Sequence, residues 1–268
     1  MRTCLRLDIP VFSIPHLHAL RTAEIDRIAA FIPTGARILE IGAGTGEQAA
    51  ELSRRGFSVT AIEIVDSNYA ADRLFPILDY DGKHIPLPDA SFDIVLSSNV
   101  LEHVQQLPQM HSEICRVLKL SGFCLHVLPT HSWRFWTTLS SYPDALLYLF
   151  LSLREMLPRA NPSGAELRRL ARAWYRTAHF IKDRFFQRRH GERGNLLSET
   201  WLFHPNWWRK HFTENGFVII HDEPLGIFYT GNMLIGHALS IAQRSQLAAT
   251  LGSACHLFKV APEHSQKR

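Results

Sequence analysis

A mostly parallel α/β sheet covered by helices on both faces is the fold this sequence predicts, and three observations predict it. Short apolar, β-branched runs alternate with stretches of helical spacing over the first two thirds of the chain. The first such run ends in a turn that carries Gly42, Gly44 and Gly46 and leads straight into a helical stretch. A length of 268 residues with 46% hydrophobic and 20% charged residues suits one elaborated domain with a real core.

The elements follow in order. Residues 22–32 have helical spacing at Ile25, Ile28, Ala29 and Ile32, and Pro33-Thr34-Gly35 ends the helix. Residues 36–41 form a buried strand, 47–55 a helix closed by Gly56, and 58–64 a second strand. A weaker third strand lies near 75–79, a fourth at 92–98, and a helix at 107–118. Gly122 reads as a turn before a fifth strand at 123–129. The rhythm then breaks: residues 131–200 read as a helical insertion within a single domain spanning 1–268. The β pattern returns at 216–224 and ends at 254–262 after another helical connection.

Composition bounds the setting. The cysteines Cys4, Cys115, Cys124 and Cys255 form no C-x-x-C pair, which points to a reducing, cytoplasmic compartment. Asp8, Pro10 and Pro15 interrupt the apolar N-terminal residues, so these read poorly as a signal peptide, and His264 to Arg268 read as a frayed end. The most apolar run, Ala145 to Leu153, is nine residues long, against the ~20 that a membrane span needs. The chain's net charge is +4, yet Arg154 to Arg193 alone holds eleven basic and four acidic residues. The basic character therefore belongs to the insertion.

Glycines at 42, 44 and 46 let the chain turn tightly and let a ligand lie against bare backbone. A dinucleotide fingerprint, G-x-G-x-x-G, would place a third glycine where Glu47 stands. A carboxylate at that helix start repels a pyrophosphate, which argues against a nucleotide-dependent oxidoreductase. It suits a cationic ligand without phosphate.

With Glu40-x-Gly42-x-Gly44-x-Gly46 at the first strand and DGKHIPLPDASFDIV at 81–95, the sequence resembles the class I S-adenosylmethionine-dependent methyltransferases over about residues 22–130. SSNVLEHV at 97–104 and EICRVLKLSGFCLHVLP at 113–129 are similar to the family's next segments. The resemblance implies a Rossmann-like seven-stranded sheet of order 3-2-1-4-5-7-6 with an antiparallel last strand. It implies S-adenosyl-L-methionine as cofactor, with Glu40 orienting the methionine end and Gly42, Gly44 and Gly46 making room. By the same resemblance Glu63 takes the ribose hydroxyls with its two oxygens, and Ile64 packs on the adenine. Asp81 accepts from the adenine amino group, with Asp79 as competitor, and Gly82 N–H reaches a ring nitrogen. Ser98 and Asn99 meet the methionine part, and Asp93 is structural.

The acceptor is narrowed by absence. No N/D-P-P-Y sequence follows the fourth strand, as amino-methylating relatives would have, and Cys115 and Cys124 read as scaffold thiols. A hydroxyl acceptor remains, with histidine as general base. His131, directly after the fifth strand, is the first candidate, because open α/β sheets place ligands at the strands' C-terminal ends. His103 is the second. His16-x-His18 has no acidic or cysteine partner nearby in sequence, so no metal is expected.

The insertion is expected to carry acceptor specificity. Leu167, Leu170, Trp174, Ile181 and Phe185 recur at helical spacing among arginines. Such a helix either packs its apolar stripe on the domain or lies on an anionic membrane over a small or lipid-linked acceptor, with residues 133–191 as the contact. The stretch 128–143 resembles in part bacterial methyltransferases of surface-glycan pathways. An RNA acceptor is a further reading, though no RNA-binding motif accompanies the basic stretch and nucleic acid ranks behind the membrane. A non-catalytic, cofactor-binding subunit is another.

Overall fold

The computed structural model describes residues 14–157, 163–232 and 236–263. Cys4, Arg159 and the terminal stretch from His264 to Arg268 lie outside the described residues.

The sheet contains β1 (Arg37–Ile41), β2 (Ser58–Ile64), β3 (Ile77–Tyr80), β4 (Phe92–Ser98), β5 (Leu118–Pro129), β6 (Phe217–Pro224) and β7 (Cys255–Pro262). Its spatial order is β3-β2-β1-β4-β5-β7-β6. The pairs from β3 through β5 are parallel, and β7 runs antiparallel to both β5 and β6. Successive side chains of β1 enter opposite faces, and both faces are covered, so the run ILEI is apolar almost without a break. Leu39 and Ile41 join one core with Met110, Ile114, Trp208 and Phe212, while Ile38 joins the other with Ile25, Ile28 and Leu225.

The helices covering the sheet are α1 (Ile14–Ala29), α2 (Glu47–Arg54), α3 (Leu107–Val117), α7 (Pro205–Glu214) and α8 (Ile241–Leu251). α1 starts earlier than the apolar spacing of residues 22–32 indicated. A second difference concerns Gly122. β5 begins at Leu118, so Gly122 lies within the strand, where the pairing to β4 shifts register between Phe92 and Ile94. A Cβ on Gly122 would stand 3.0 Å from the carbonyl oxygens of both Asp93 and Lys119. The glycine marks a close backbone approach at a strand irregularity rather than a turn.

Between β5 and α7 lie α4 (His131–Met156), α5 (Gly164–Phe185) and α6 (Glu199–Leu202). Thr130 caps α4 by accepting from Trp133 N at 3.1 Å, and Ser163 caps α5 by accepting from Glu166 N at 3.3 Å. The two long helices form a hairpin. Tyr148 stacks on Phe180 at 4.0 Å, and Arg184 donates to Asp144 at 2.7 Å. The buried positions of α5 are Leu170, Ala173 and Thr177. Of the apolar stripe read from the sequence, Leu167, Trp174 and Phe185 are exposed.

Candidate functional site

The site is built at the C-terminal ends of β1, β2 and β4, where a parallel sheet leaves a crevice. After β1 the chain turns back on itself: the N–H groups of Gly42 and Ala43 both donate to Ile62 O, at 2.9 and 3.1 Å. Gly42 and Gly46 are required by packing, since a Cβ on Gly42 would sit 2.5 Å from Val100 and one on Gly46 2.7 Å from Phe75. Gly44 differs. Its φ is +57°, and a Cβ there would meet only the Tyr69 ring at 3.6 Å, at the wall of an open cleft. Gly46 does not line that cleft; it begins α2 and lies against the chain before β3.

Two adjoining hollows, of about 600 and about 400 Å³, share Gly42, Gly44, Tyr69, Asn99 and His103. The larger adds Glu63, Ile64, Asp81 and Gly82; the smaller adds Arg21, Glu40, Glu47, Ser98 and His190. Of the twelve residues named from the sequence, only Gly46 and His131 fall outside their lining.

Glu63 is held by backbone on both oxygens: Gly44 N donates to Oε2 at 2.6 Å and Ile64 N to Oε1 at 2.9 Å. Each oxygen keeps a second lone pair for a ligand. Asp81 accepts from the backbone of Lys83 at 2.8 Å and of His84 at 2.7 Å, which holds its carboxyl well below the usual range. Asp79 instead pairs with Arg73 away from the lining, so Asp81 is the aspartate at the cleft. Asp93 accepts from Arg37 N at 2.9 Å and from Lys119 Nζ at 2.7 Å, tying β4 to β1 and β5. Glu40 is buried, and its Oε2 has no hydrogen-bond partner. Burial, and then the charge of Glu63, push its carboxyl up to about 8.

His131 opens α4, stacks on His204 at 4.5 Å and does not line either hollow. Its position after β5 is as expected, but the helix start turns its ring toward α6. His103, in a 3₁₀ turn at residues 101–103, lines both hollows. Beside it stands His190, from the loop after α5, with ring centroids 4.9 Å apart. Burial lowers both imidazoles, His190 to about 4, so both are neutral at pH 7. His190 and Arg21 had no motif to betray them; each reaches the cleft only through tertiary packing. His18, half of the His16-x-His18 pattern, pairs with Glu47 at the start of α2.

The class of protein that this crevice and sheet order define is a Rossmann-like α/β domain with the methyltransferase strand order. Residues 39–126 match the methyltransferase domain family. Over 91 residues the chain is 34% identical to the biotin biosynthesis bifunctional protein BioHC of Cellvibrio japonicus, covering 32% of this chain and 18% of that protein. Over 119 residues it is 32% identical to the 27-O-demethylrifamycin SV methyltransferase of Amycolatopsis mediterranei, covering 40% and 44%. The chain thus spans less than half the length of these curated relatives. Among solved structures, a chain of the Haloferax volcanii complex between the Trm112 methyltransferase activator and a methyltransferase shares the fold. It covers 92% of this chain and 89% of its own length at a TM-score of 0.50 and 13% identity. Over this matched stretch the chain is similar to the class I S-adenosylmethionine-dependent methyltransferases.

S-adenosylmethionine is the cofactor that goes with this family, and the residues present fit it. Gly44 leaves the middle of the cleft open, Glu63 offers two acceptor oxygens at one end, and Glu40 has an unpartnered buried oxygen at the other.

Proposed function

We propose that this protein transfers the methyl group of S-adenosylmethionine to a hydroxyl of a small or lipid-linked acceptor. When bound, the cofactor supplies an electrophilic methyl carbon on a sulfonium. The chain's residues supply position and polarity. Glu63, Ile64, Asp81 and Gly82 hold the adenosine end, and Glu40, Ser98 and Asn99 hold the methionine end, with Arg21 placed to meet its carboxylate. Locking both ends lets the reacting atoms meet at a fixed distance, which is the main lever for an in-line displacement. The observation that carries the reading is His103, an imidazole at the junction of the two hollows. A hydroxyl must shed a proton as it attacks, and this is where the chain offers neutral nitrogen to handle it. The name of the 27-O-demethylrifamycin SV relative supports an oxygen acceptor. Incubation with methyl-labelled cofactor and lipid, glycan and RNA fractions tests the reading. Label in a base-stable ether of a lipid or glycan is expected; label confined to RNA or to amines would overturn it.

A second observation favours presentation of that acceptor at an anionic bilayer. On the α4–α5 hairpin Leu146, Phe150, Trp174 and Tyr175 are exposed, with Arg168, Arg169, Arg172 and Arg176 on the same helix as the last two. Outward rings among arginines match a surface with an apolar interior and anionic headgroups. Among the described residues no helix is long and apolar enough to cross a membrane, so contact would be with the surface.

A further inference from the structure

Outside the cofactor contacts, the strongest unexplained feature is a buried carboxylate with nothing to hold. Glu102 is 1% exposed, and neither of its side-chain oxygens has a hydrogen-bond partner. A carboxylate buried without a partner is disfavoured as the anion, and burial pushes Glu102 up to about 8. Two imidazoles flank it: His103 Nε2 lies 3.8 Å and His190 Nε2 4.0 Å from Glu102 Oε1. One ligand atom from each of the three residues lies within 4.8 Å of the others, the one such cluster among the described residues.

The three are brought together by construction. Glu102 and His103 belong to the 3₁₀ turn after β4, while His190 comes from the end of the insertion. Glu199 carries that loop, accepting from His190 N at 2.5 Å and Gly191 N at 2.7 Å, and is itself paired with Arg134 at 3.1 Å in the interior. Glu192 N donates to Glu102 O at 2.9 Å, and a Cβ on Gly191 would stand 2.9 Å from that same oxygen, so only glycine allows the approach. Arg193 then donates to Val104 O at 2.7 Å and Leu101 O at 3.1 Å, which sews the loop to both ends of the turn. The cations near Glu102 are thus engaged elsewhere: Arg193 on these carbonyls, and Arg21 on Glu24 at 2.7 Å.

We propose that Glu102, His103 and His190 bind one divalent first-row transition-metal ion of the zinc type, with its open side toward the cleft. Two neutral imidazoles and one carboxylate form the ligand set of a three-coordinate site that keeps a position for a reactant. Bonds of about 2.0–2.2 Å require ligand atoms roughly 3.3 Å apart, so the cluster closes on an ion with shifts of about 1 Å. His103 and His190 both line the hollow that holds Ser98 and Asn99, so the open position faces the place where cofactor and acceptor meet. This deepens the reading above and rests on it for the acceptor. The ion takes the acceptor's hydroxyl oxygen, whose proton leaves to water as the ion lowers its pKa. The oxygen lone pair forms the new O–CH3 bond while the S–CH3 bond breaks, and sulfur keeps that electron pair as a neutral thioether. His103 then serves the same deprotonation through the ion, as one of its ligands. The only metal pattern the sequence offered was His16-x-His18, since His190 stands far along the chain from Glu102-His103, beyond any spacing pattern.

The test is titration of the chelator-stripped full chain with Zn²⁺ by calorimetry and with Co²⁺ by visible absorption. One ion per chain is expected, with tetrahedral cobalt bands. His190→Ala, at a half-exposed position, should weaken binding by at least 10-fold and abolish the bands. Glu102→Gln should do the same, and His221→Ala, on β6, should bind as the parent does. No stoichiometric binding by the parent, or binding unchanged in His190→Ala, overturns the site. S-adenosylhomocysteine titrated into the same metal-free protein separates the two readings. Normal thioether binding with no metal binding removes only the ion; metal binding with no thioether binding removes the methyltransferase reading instead.

Discussion

Glu63→Gln isolates the cofactor contact with the least disturbance of shape. In the free protein Glu63 already accepts from Gly44 N at 2.6 Å and from Ile64 N at 2.9 Å. One lone pair on each oxygen therefore remains for the ribose hydroxyls. The amide keeps one acceptor oxygen and turns the other position into a donor, which faces a backbone N–H and loses its hydroxyl. A hydrogen bond to a charged group contributes about 1.5–3 kcal/mol. At 1.4 kcal/mol per tenfold, affinity for S-adenosylhomocysteine should fall roughly 10- to 100-fold. Calorimetry measures it, with a 2′,3′-dideoxy analogue as control. The analogue has no hydroxyls to lose, so parent and variant should bind it alike. A folded Glu63→Gln protein that binds S-adenosylhomocysteine within 3-fold of the parent would falsify the ribose assignment.

Other outcomes follow from the same structure. His103→Ala should lower turnover by about 10²–10⁴-fold, while His131→Ala, whose ring stacks on His204, should change turnover far less; comparable losses in both would restore His131 to the site. Stability should depend on pH through two overlapping windows of opposite sign. Burial lowers His111 and His126 to about 3, below the ~6.5 of an unfolded histidine. The unfolded chain therefore binds more protons between those values, and stability is lost as pH drops through that window, by up to about 1.4 kcal/mol per pH unit for each residue. Glu40, raised to about 8, works the other way, losing stability as pH rises from the ordinary carboxylate range toward that value. His126→Asn should flatten the loss of Tm as pH falls from about 6.5 toward 3, and Glu40→Gln the loss as pH rises from the ordinary carboxylate range to about 8; slopes unmoved by these changes would place the titration elsewhere. Reversal of Arg168, Arg169, Arg172 and Arg176 to Glu should release the protein from anionic vesicles, since each basic residue near such a surface contributes about 1 kcal/mol. Salt should weaken the parent's binding in the same way, and a parent that never co-sediments at low salt refutes the membrane contact.

Much of the scaffold was legible in the residues themselves. Strands buried on both faces leave continuous apolar runs, and ILEI, SVTAIEI and FDIVLSS became β1, β2 and β4 within a residue of where periodicity placed them. The residues of the cleft were named through the family resemblance, and the fold explains why they gather. Glu40, Gly44, Glu63, Asp81 and Asn99 each sit at or just past the end of a strand, so local chain order alone delivers them to one rim. What sequence could not determine depends on distant segments meeting. Gly122 looked like a turn because its demand for space comes from Asp93 across the sheet. The stripe on α5 was left open between the core and a membrane because helical spacing marks an apolar line without saying what lies against it. In the folded chain Leu170, Ala173 and Thr177 are the buried line of α5, and Trp174 is turned out. His131 had the favoured sequence position but lost the cleft to the direction of α4, and His190 gained it through Glu199 and Arg134. Periodicity and turn chemistry are local forces that the sequence carries in its order; the meeting of Glu102, His103 and His190 is a long-range contact, and only the packed chain decides it.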